Sequence, residues 1–135
     1  MITHYFVEKQ IINEILASKG NQLDHSNSVL CKILFKQNKE ILESIAEQIK
    51  HIKNDVKNEI IFPCLIKSIE QSRNSDTLES EYLASNAITL LNQCDQFYFE
   101  DLDLSNCRIS YAKLTRNKIE GVNFENCQLK MVEPD

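Results

Sequence analysis

Apolar side chains recur in two rhythms along this chain. Up to about Gln93 they return every three or four residues, the spacing of one face of a helix. The first helix is expected from about His4 to Ser18, with Val7, Ile11 and Ile15 as its stripe, widened by Ile12 and Leu16, and Gly20 as its stop. A second is expected around Asn27 to Phe35, carrying Val29, Leu30, Ile33 and Leu34, with Asp24 or Ser26 as its cap. A third runs from Lys39 to Ile52 behind Asn38, with Ile41, Ile45, Ile49 and Ile52 on one face. The fourth, Val56 to about Gln71, contains Pro63, which removes a backbone donor and predicts a kink or break near Glu59 to Phe62. After a loop at Arg73 to Asp76, the fifth spans Thr77 to Gln93 and packs Leu83, Ala87, Leu90 and Leu91.

From Phe97 to Leu129 the period is five. Phe99, Leu104, Ile109, Leu114, Ile119, Phe124 and Leu129 hold one position of the repeat, all apolar. Two residues before each stand Phe97, Leu102, Cys107, Ala112, Asn117, Val122 and Cys127, apolar or small except Asn117. On a helix every fifth residue is rotated by about 140°, so these positions would scatter round the surface. On a straight strand an odd period alternates faces. Short extended segments joined by corners keep both sets inside, which predicts a solenoid with one five-residue unit per side.

These residues resemble the pentapeptide-repeat family, whose members are right-handed, four-sided β-helices. The resemblance implies that residues twenty apart stack: Cys107 over Cys127, Leu104 over Phe124, Ile109 over Leu129, Leu102 over Val122. Phe97 over Asn117 departs from the pattern, because an enclosed amide needs hydrogen-bond partners. Seven units make fewer than two turns, too little to stand alone. The expected fold class is therefore α+β: a bundle of about five helices over residues 1–96 caps a short β-helix over 97–131, with a tail at 132–135.

A second resemblance covers the helical part. Tyr5-Phe6-Val7-Glu8-Lys9 with Ile12, Glu14 and Leu16, Glu40 to Glu47, and Ala84-Ser85-Asn86-Ala87-Ile88-Thr89-Leu90-Leu91-Asn92 resemble helices of the arm that follows the NACHT module of STAND ATPases. The ATPase itself is not implied. A phosphate-binding loop needs two glycines and a Gly-Lys pair, and this chain has only Gly20 and Gly121.

Composition narrows function more than it assigns it. The 135 residues are 42% hydrophobic and 26% charged, with a net charge of −5, which argues against a nucleic-acid surface. No apolar run reaches membrane-spanning length, and Glu8 and Glu14 interrupt any secretory pattern, so no membrane partner and a cytoplasmic location are expected. Cys31, Cys64, Cys94, Cys107 and Cys127 form no CxxC pair and are read as buried thiols. His4, His25 and His51 have no ligand-spaced neighbour and are read as surface or cap residues. The carboxylates Glu79, Glu81, Glu100, Asp101 and Asp103 gather loosely at the junction and are read as solvated. Ser105, Ser110 and Thr115 are read as corner residues that bond turn backbone. No catalytic residue, cofactor or metal site is predicted. Tyr98 and Tyr111 are the candidate contact residues.

The expected function is a non-catalytic scaffold that binds a protein partner, with a homodimer through the terminal coil as one form. The alternatives are a regulatory arm or truncated fragment of a NACHT-type signalling protein and, from the repeat family, a DNA-mimicking gyrase inhibitor. The last would need a rod far longer than the roughly 10 Å that two turns supply at about 5 Å each.

Overall fold

The computed structural model describes residues 2–129 and 132–133, without the side chains of residues 2–4, 117, 132 and 133. Helix α1, Ile2–Ala17, buries Ile11 and Ile15. The Ser18 hydroxyl donates to the Ile15 carbonyl at 2.6 Å, and Lys19 and Gly20 then turn left-handed, at φ 54° and 86°. Gly20 is required there twice over. Besides its positive φ, a Cβ on it would lie 2.8 Å from the Glu59 carbonyl oxygen. That carbonyl belongs to the turn before Pro63, which has no N–H to offer it four residues on.

Around Pro63 the chain does not break. A single α-turn, α3 (Asn54–Val56), leads into a π-helical turn, Lys57–Ile61, and then into α4, Phe62–Glu70. The Phe62 N–H reaches back five residues to the Lys57 carbonyl, so the wider turn absorbs the proline. The Lys57 side chain is only 3% exposed and donates to the Lys50 carbonyl at 3.2 Å. It thereby closes the end of α2, Lys39–Lys50, whose Ile41, Leu42, Ile45 and Ile49 are buried.

The helix expected at Asn27 to Phe35 is absent. Two 3-10 turns, Val29–Cys31 and Phe35–Gln37, stand in its place. Side chains bond the backbone throughout this stretch, and Asn86 takes groups that a helix would have paired. The Asp24 carboxylate accepts from the Ser26 and Asn27 amides, and Glu14 accepts from the Ser28 hydroxyl and the Val29 amide. Asn86 accepts from the Phe35 amide at 2.8 Å and donates to the Leu30 and Ile33 carbonyls at 2.8 and 2.6 Å.

Asn86 lies on α5, Leu78–Gln93, which the Thr77 hydroxyl caps by accepting from the Ser80 amide. Both long faces of this helix are covered, and Leu83, Ala84, Ala87, Ile88, Leu90 and Leu91 are all fully buried. One apolar core runs without interruption from Ile11 of α1 through α5 to Ile119.

The segment after α5 corrects the expected α+β class with a β-helical solenoid. Among the described residues, regular β structure amounts to one parallel pair of two-residue strands, β1 (Leu114–Thr115) with β2 (Val132–Glu133), and one isolated bridge between Asp103 and Asn123. The protein is predominantly helical, and its last part is a turn-rich segment making two passes against the helices. Two physical reasons are visible. Left-handed residues at Asp101, Asn106, Gly121 and Asn126 end each extended run after a few residues, too soon for a ladder to build. In addition, much of the first pass is hydrogen-bonded to helical side chains instead of to a strand.

Those bonds recur from Arg108 to Thr115. The amide of Arg108 donates to the Ser72 hydroxyl at 2.9 Å, and that of Ser110 to the Glu81 carboxylate at 3.2 Å. The amide of Tyr111 donates to the Ser85 hydroxyl at 3.2 Å, and that of Lys113 to the Thr89 hydroxyl at 2.9 Å. The amide of Thr115 donates to the Asn92 side-chain oxygen at 2.9 Å. Arg73 serves the acceptors earlier in the pass, donating to the Asp103 and Ser105 carbonyls at 2.5 and 2.8 Å. The opposite side of the pass meets the second one, where Leu104 and Asn106 donate to the Asn123 and Glu125 carbonyls.

Two substitutions test this framework. Gly20→Ala is expected to destabilise the protein by about 2 kcal/mol or more, since the left-handed backbone alone costs about 1–2 kcal/mol and the Glu59 carbonyl leaves no room. It should lower the urea midpoint without changing the slope. Thr89→Val strands the Lys113 amide and should cost about 1–3 kcal/mol while accelerating hydrogen exchange at that amide. Unchanged exchange would show that the helical side chains do not hold the tail.

Candidate interaction surfaces

The groups able to do chemistry are dispersed. His25 and His51 are exposed, and His51 pairs with Glu47 at 3.1 Å. The side chain of His4 lies outside the described residues. Among the described residues, no three His, Cys, Asp or Glu side chains converge as metal ligands. The expected acidic group at the junction does not form a dyad. Glu81 accepts from both the amide and the hydroxyl of Ser110. Asp103 accepts from the Ser105 amide and from Asn123, and the Ser105 bonds hold its carboxyl below the usual range.

All five cysteines are free. Burial pushes the thiols of Cys31 and Cys107 up to about 11 and that of Cys94 up to about 12; Cys64 and Cys127 are raised by the same cause. A thiolate nucleophile or metal ligand needs the opposite displacement. The Cys127 thiol donates to the Leu104 carbonyl at 2.8 Å.

The residues of the five-residue period fall into two groups. Phe99, Leu104, Cys107, Ile109, Ala112, Leu114 and Ile119 are buried. Leu102, Val122, Phe124, Cys127 and Leu129 are half-buried against the same core. The side chain of Asn117 lies outside the described residues. The two candidate contact tyrosines differ. Tyr98 is 77% exposed. Tyr111 is half-buried, edge-on to Tyr82 with centroids 5.0 Å apart, and Lys36 places its ammonium 5.1 Å from the Tyr111 ring.

The largest apolar exposure was not anticipated. Tyr5, Phe6 and Leu16 of α1 are 59%, 63% and 37% exposed. Tyr5 and Phe6 meet edge-on at 6.0 Å. A shallow depression of about 510 Å³ runs along this outer face, lined by Phe6, Lys9, Gln10, Asn13, Glu14 and Ala17. The signal was in the sequence. Tyr5 and Phe6 are adjacent, and Phe6, Asn13 and Ala17 follow helical spacing on a face other than that of Ile11 and Ile15. Clusters of exposed apolar side chains of this kind mark contact sites. Among the described residues, no helix is long and apolar enough to cross a membrane.

Compared with family models, with curated proteins and with solved structures, the chain matches none.

The thiols yield a pH prediction with a definite sign. Their folded values are raised above the ordinary 9.0, so the stability of keeping them neutral is complete below pH 9 and is lost as pH climbs towards 11–12. Iodoacetamide at pH 8 should therefore leave Cys31, Cys64, Cys94 and Cys107 unmodified in the folded protein and alkylate all of them in urea, as read by peptide mass spectrometry. Fast alkylation of Cys94 in the folded state would contradict its burial.

Proposed function

We propose that this chain is a non-catalytic protein-interaction module, a helical framework that presents aromatic side chains for contact. The observation that carries the reading is the solvent exposure of Tyr5 and Phe6 on a helix whose other face is fully packed. Leaving two large rings in water forgoes roughly 1.5–3 kcal/mol of burial each, a cost that a binding partner recovers. The dispersal of histidines and carboxylates and the raised thiols agree with a role that needs no turnover.

A second reading is the regulatory arm of a NACHT-type signalling protein. It is favoured by one feature: Tyr5 and Phe6, which open the motif that resembles that arm, are the ones left open for another module to cover.

The test uses Tyr5→Ser combined with Phe6→Ser in the full chain. Both positions are exposed, so stability should change by no more than about 0.5 kcal/mol. In cross-linking mass spectrometry, contacts to a bound protein should map to α1 in the parent chain and disappear in the variant. Turnover of a nucleotide or ester by the purified chain, abolished by substituting one of its own residues, would overturn the proposal.

A further inference from the structure

We infer that the cleft between the end of α5 and the first turns of the tail docks a basic segment of a partner protein, seating an Arg or Lys side chain between the Tyr98 ring and the carboxylates of Glu100 and Glu120. This surface is separate from the outer face of α1, and the two stand or fall independently.

The cleft holds about 460 Å³, and its lining joins Phe97, Tyr98 and Phe99 to Glu100, Lys118 and Glu120. Its aromatic side is fixed from behind. Phe97 packs edge-on against Phe62 at 5.1 Å and against Phe99 at 4.8 Å. Tyr98, between these two in sequence, is 77% exposed, the most of any large apolar side chain among the described residues.

The charges in the cleft are unbalanced. Among the described residues Lys118 is its only lining cation, and it is already committed, donating to the Asn92 carbonyl at 2.9 Å and to Asp95 at 3.1 Å. Glu100 and Glu120 are exposed and have no paired cation among the described residues. An adjoining cleft shares Cys94 and Asp95 and is lined further by Glu43, Glu47 and Lys50 of α2, where Glu43 pairs with Lys39 and Glu47 with His51, so the unpaired carboxylates are those of Glu100 and Glu120. Gln96 lines that second cleft, and its side-chain oxygen is buried with no hydrogen-bond partner.

Carboxylates alone would draw in any cation. The aromatic wall is what selects among them. A guanidinium or ammonium group lies favourably over a tyrosine face, its aliphatic stem covers apolar surface, and its N–H groups reach carboxylates. A compact inorganic cation has no use for the rings, and no three ligand groups converge for one among the described residues. The chain's net charge of −5 favours the approach of a basic partner from a distance.

The probe is a fluorescein-labelled peptide of alternating arginine and alanine, titrated into the purified full chain and followed by anisotropy at low and high salt. Peptides with citrulline or glutamate in place of arginine serve as controls. The arginine peptide should bind and weaken with salt, and both controls should fail. Tyr98→Ser should weaken binding about five-fold, in line with a cation–π contact of about 1 kcal/mol. Glu100→Gln with Glu120→Gln should weaken it at least as much. All three positions are exposed, and unchanged circular dichroism establishes that the variants fold. Phe6→Ser should bind the peptide as the parent does, which separates this surface from α1. Equal binding by the Tyr98→Ser variant would reduce the effect to diffuse attraction and overturn the inference, as would binding of the citrulline peptide or no binding of the arginine peptide.

Discussion

The fold turns on how an irregular segment satisfies its backbone when it has no strand beside it. A buried N–H without a partner costs about 1–3 kcal/mol, so a pass carrying five such donors on one side cannot pack against a helix face that is wholly apolar. Here the helices answer with oxygens. Glu81, Ser85, Thr89 and Asn92 follow one line along α5, and Ser72 extends it from the turn after α4. The spacing explains why this works. Four helical residues advance about 6 Å, and two extended residues about 6.6 Å, so Tyr111 and Lys113 stay in step with Ser85 and Thr89, while the adjacent Ser110 is met by the longer Glu81 side chain. Over the last interval the helix falls behind, and there the longer asparagine side chain reaches where serine or threonine would not. The apolar residues between these oxygens, Leu83, Ala87, Leu90 and Leu91 among them, face the core at the same time. From Leu83 to Asn92, α5 is therefore buried all round without being apolar all round.

The same principle governs the segment on the other side of α5. Asn86 accounts for three backbone groups between Leu30 and Phe35, and Asp24 and Glu14 for others. Residues 27–35 have adequate helical patterning, yet polar side chains from elsewhere compete successfully for their hydrogen bonds. One helix thus organises two non-helical stretches, one on each side, through side-chain oxygens and a single amide.

This is also where the sequence could and could not be read. Helices α1, α2, α4 and α5 were legible because each buries a stripe with helical spacing, and Pro63 marked the disturbed turn because its missing N–H is a local property. Apolar spacing says nothing about which partner takes a backbone donor, and the two errors of architecture lie there. The expected second helix lost its pairing at Leu30 and Phe35 to Asn86, which does not look special in its own segment. The expected β-helix lost its ladder to α5 and to left-handed corners at Asp101, Asn106 and Asn126, where aspartate and asparagine tolerate a positive φ that the five-residue period does not announce. Of the candidate surfaces, Tyr98 was visible as an aromatic at an outward position. The outer face of α1 was legible in the adjacent Tyr5 and Phe6, but reading Leu16 into the buried stripe hides how far that face is open.

The two passes of the tail are not equivalent, and the difference comes from the same accounting of donors and apolar surface. Leu104, Cys107 and Ile109 of the first pass have helices on one side and the second pass on the other, and they are at most 1% exposed. Phe124, Cys127 and Leu129, twenty residues later, have cover on one side only and remain half-exposed. Stability therefore declines along the tail, from a pass held by α5 to one held chiefly by its neighbour. Elements with few buried contacts open first. The cleft carrying Tyr98, Glu100 and Glu120 draws its lining from both regimes: Phe97 and Phe99 are locked against Phe62, while Glu120 belongs to the less covered stretch. A ligand bridging Tyr98 and Glu120 would tie the second pass to the first. Its binding energy would then be spent partly on ordering the portion of the chain that the helices do not reach.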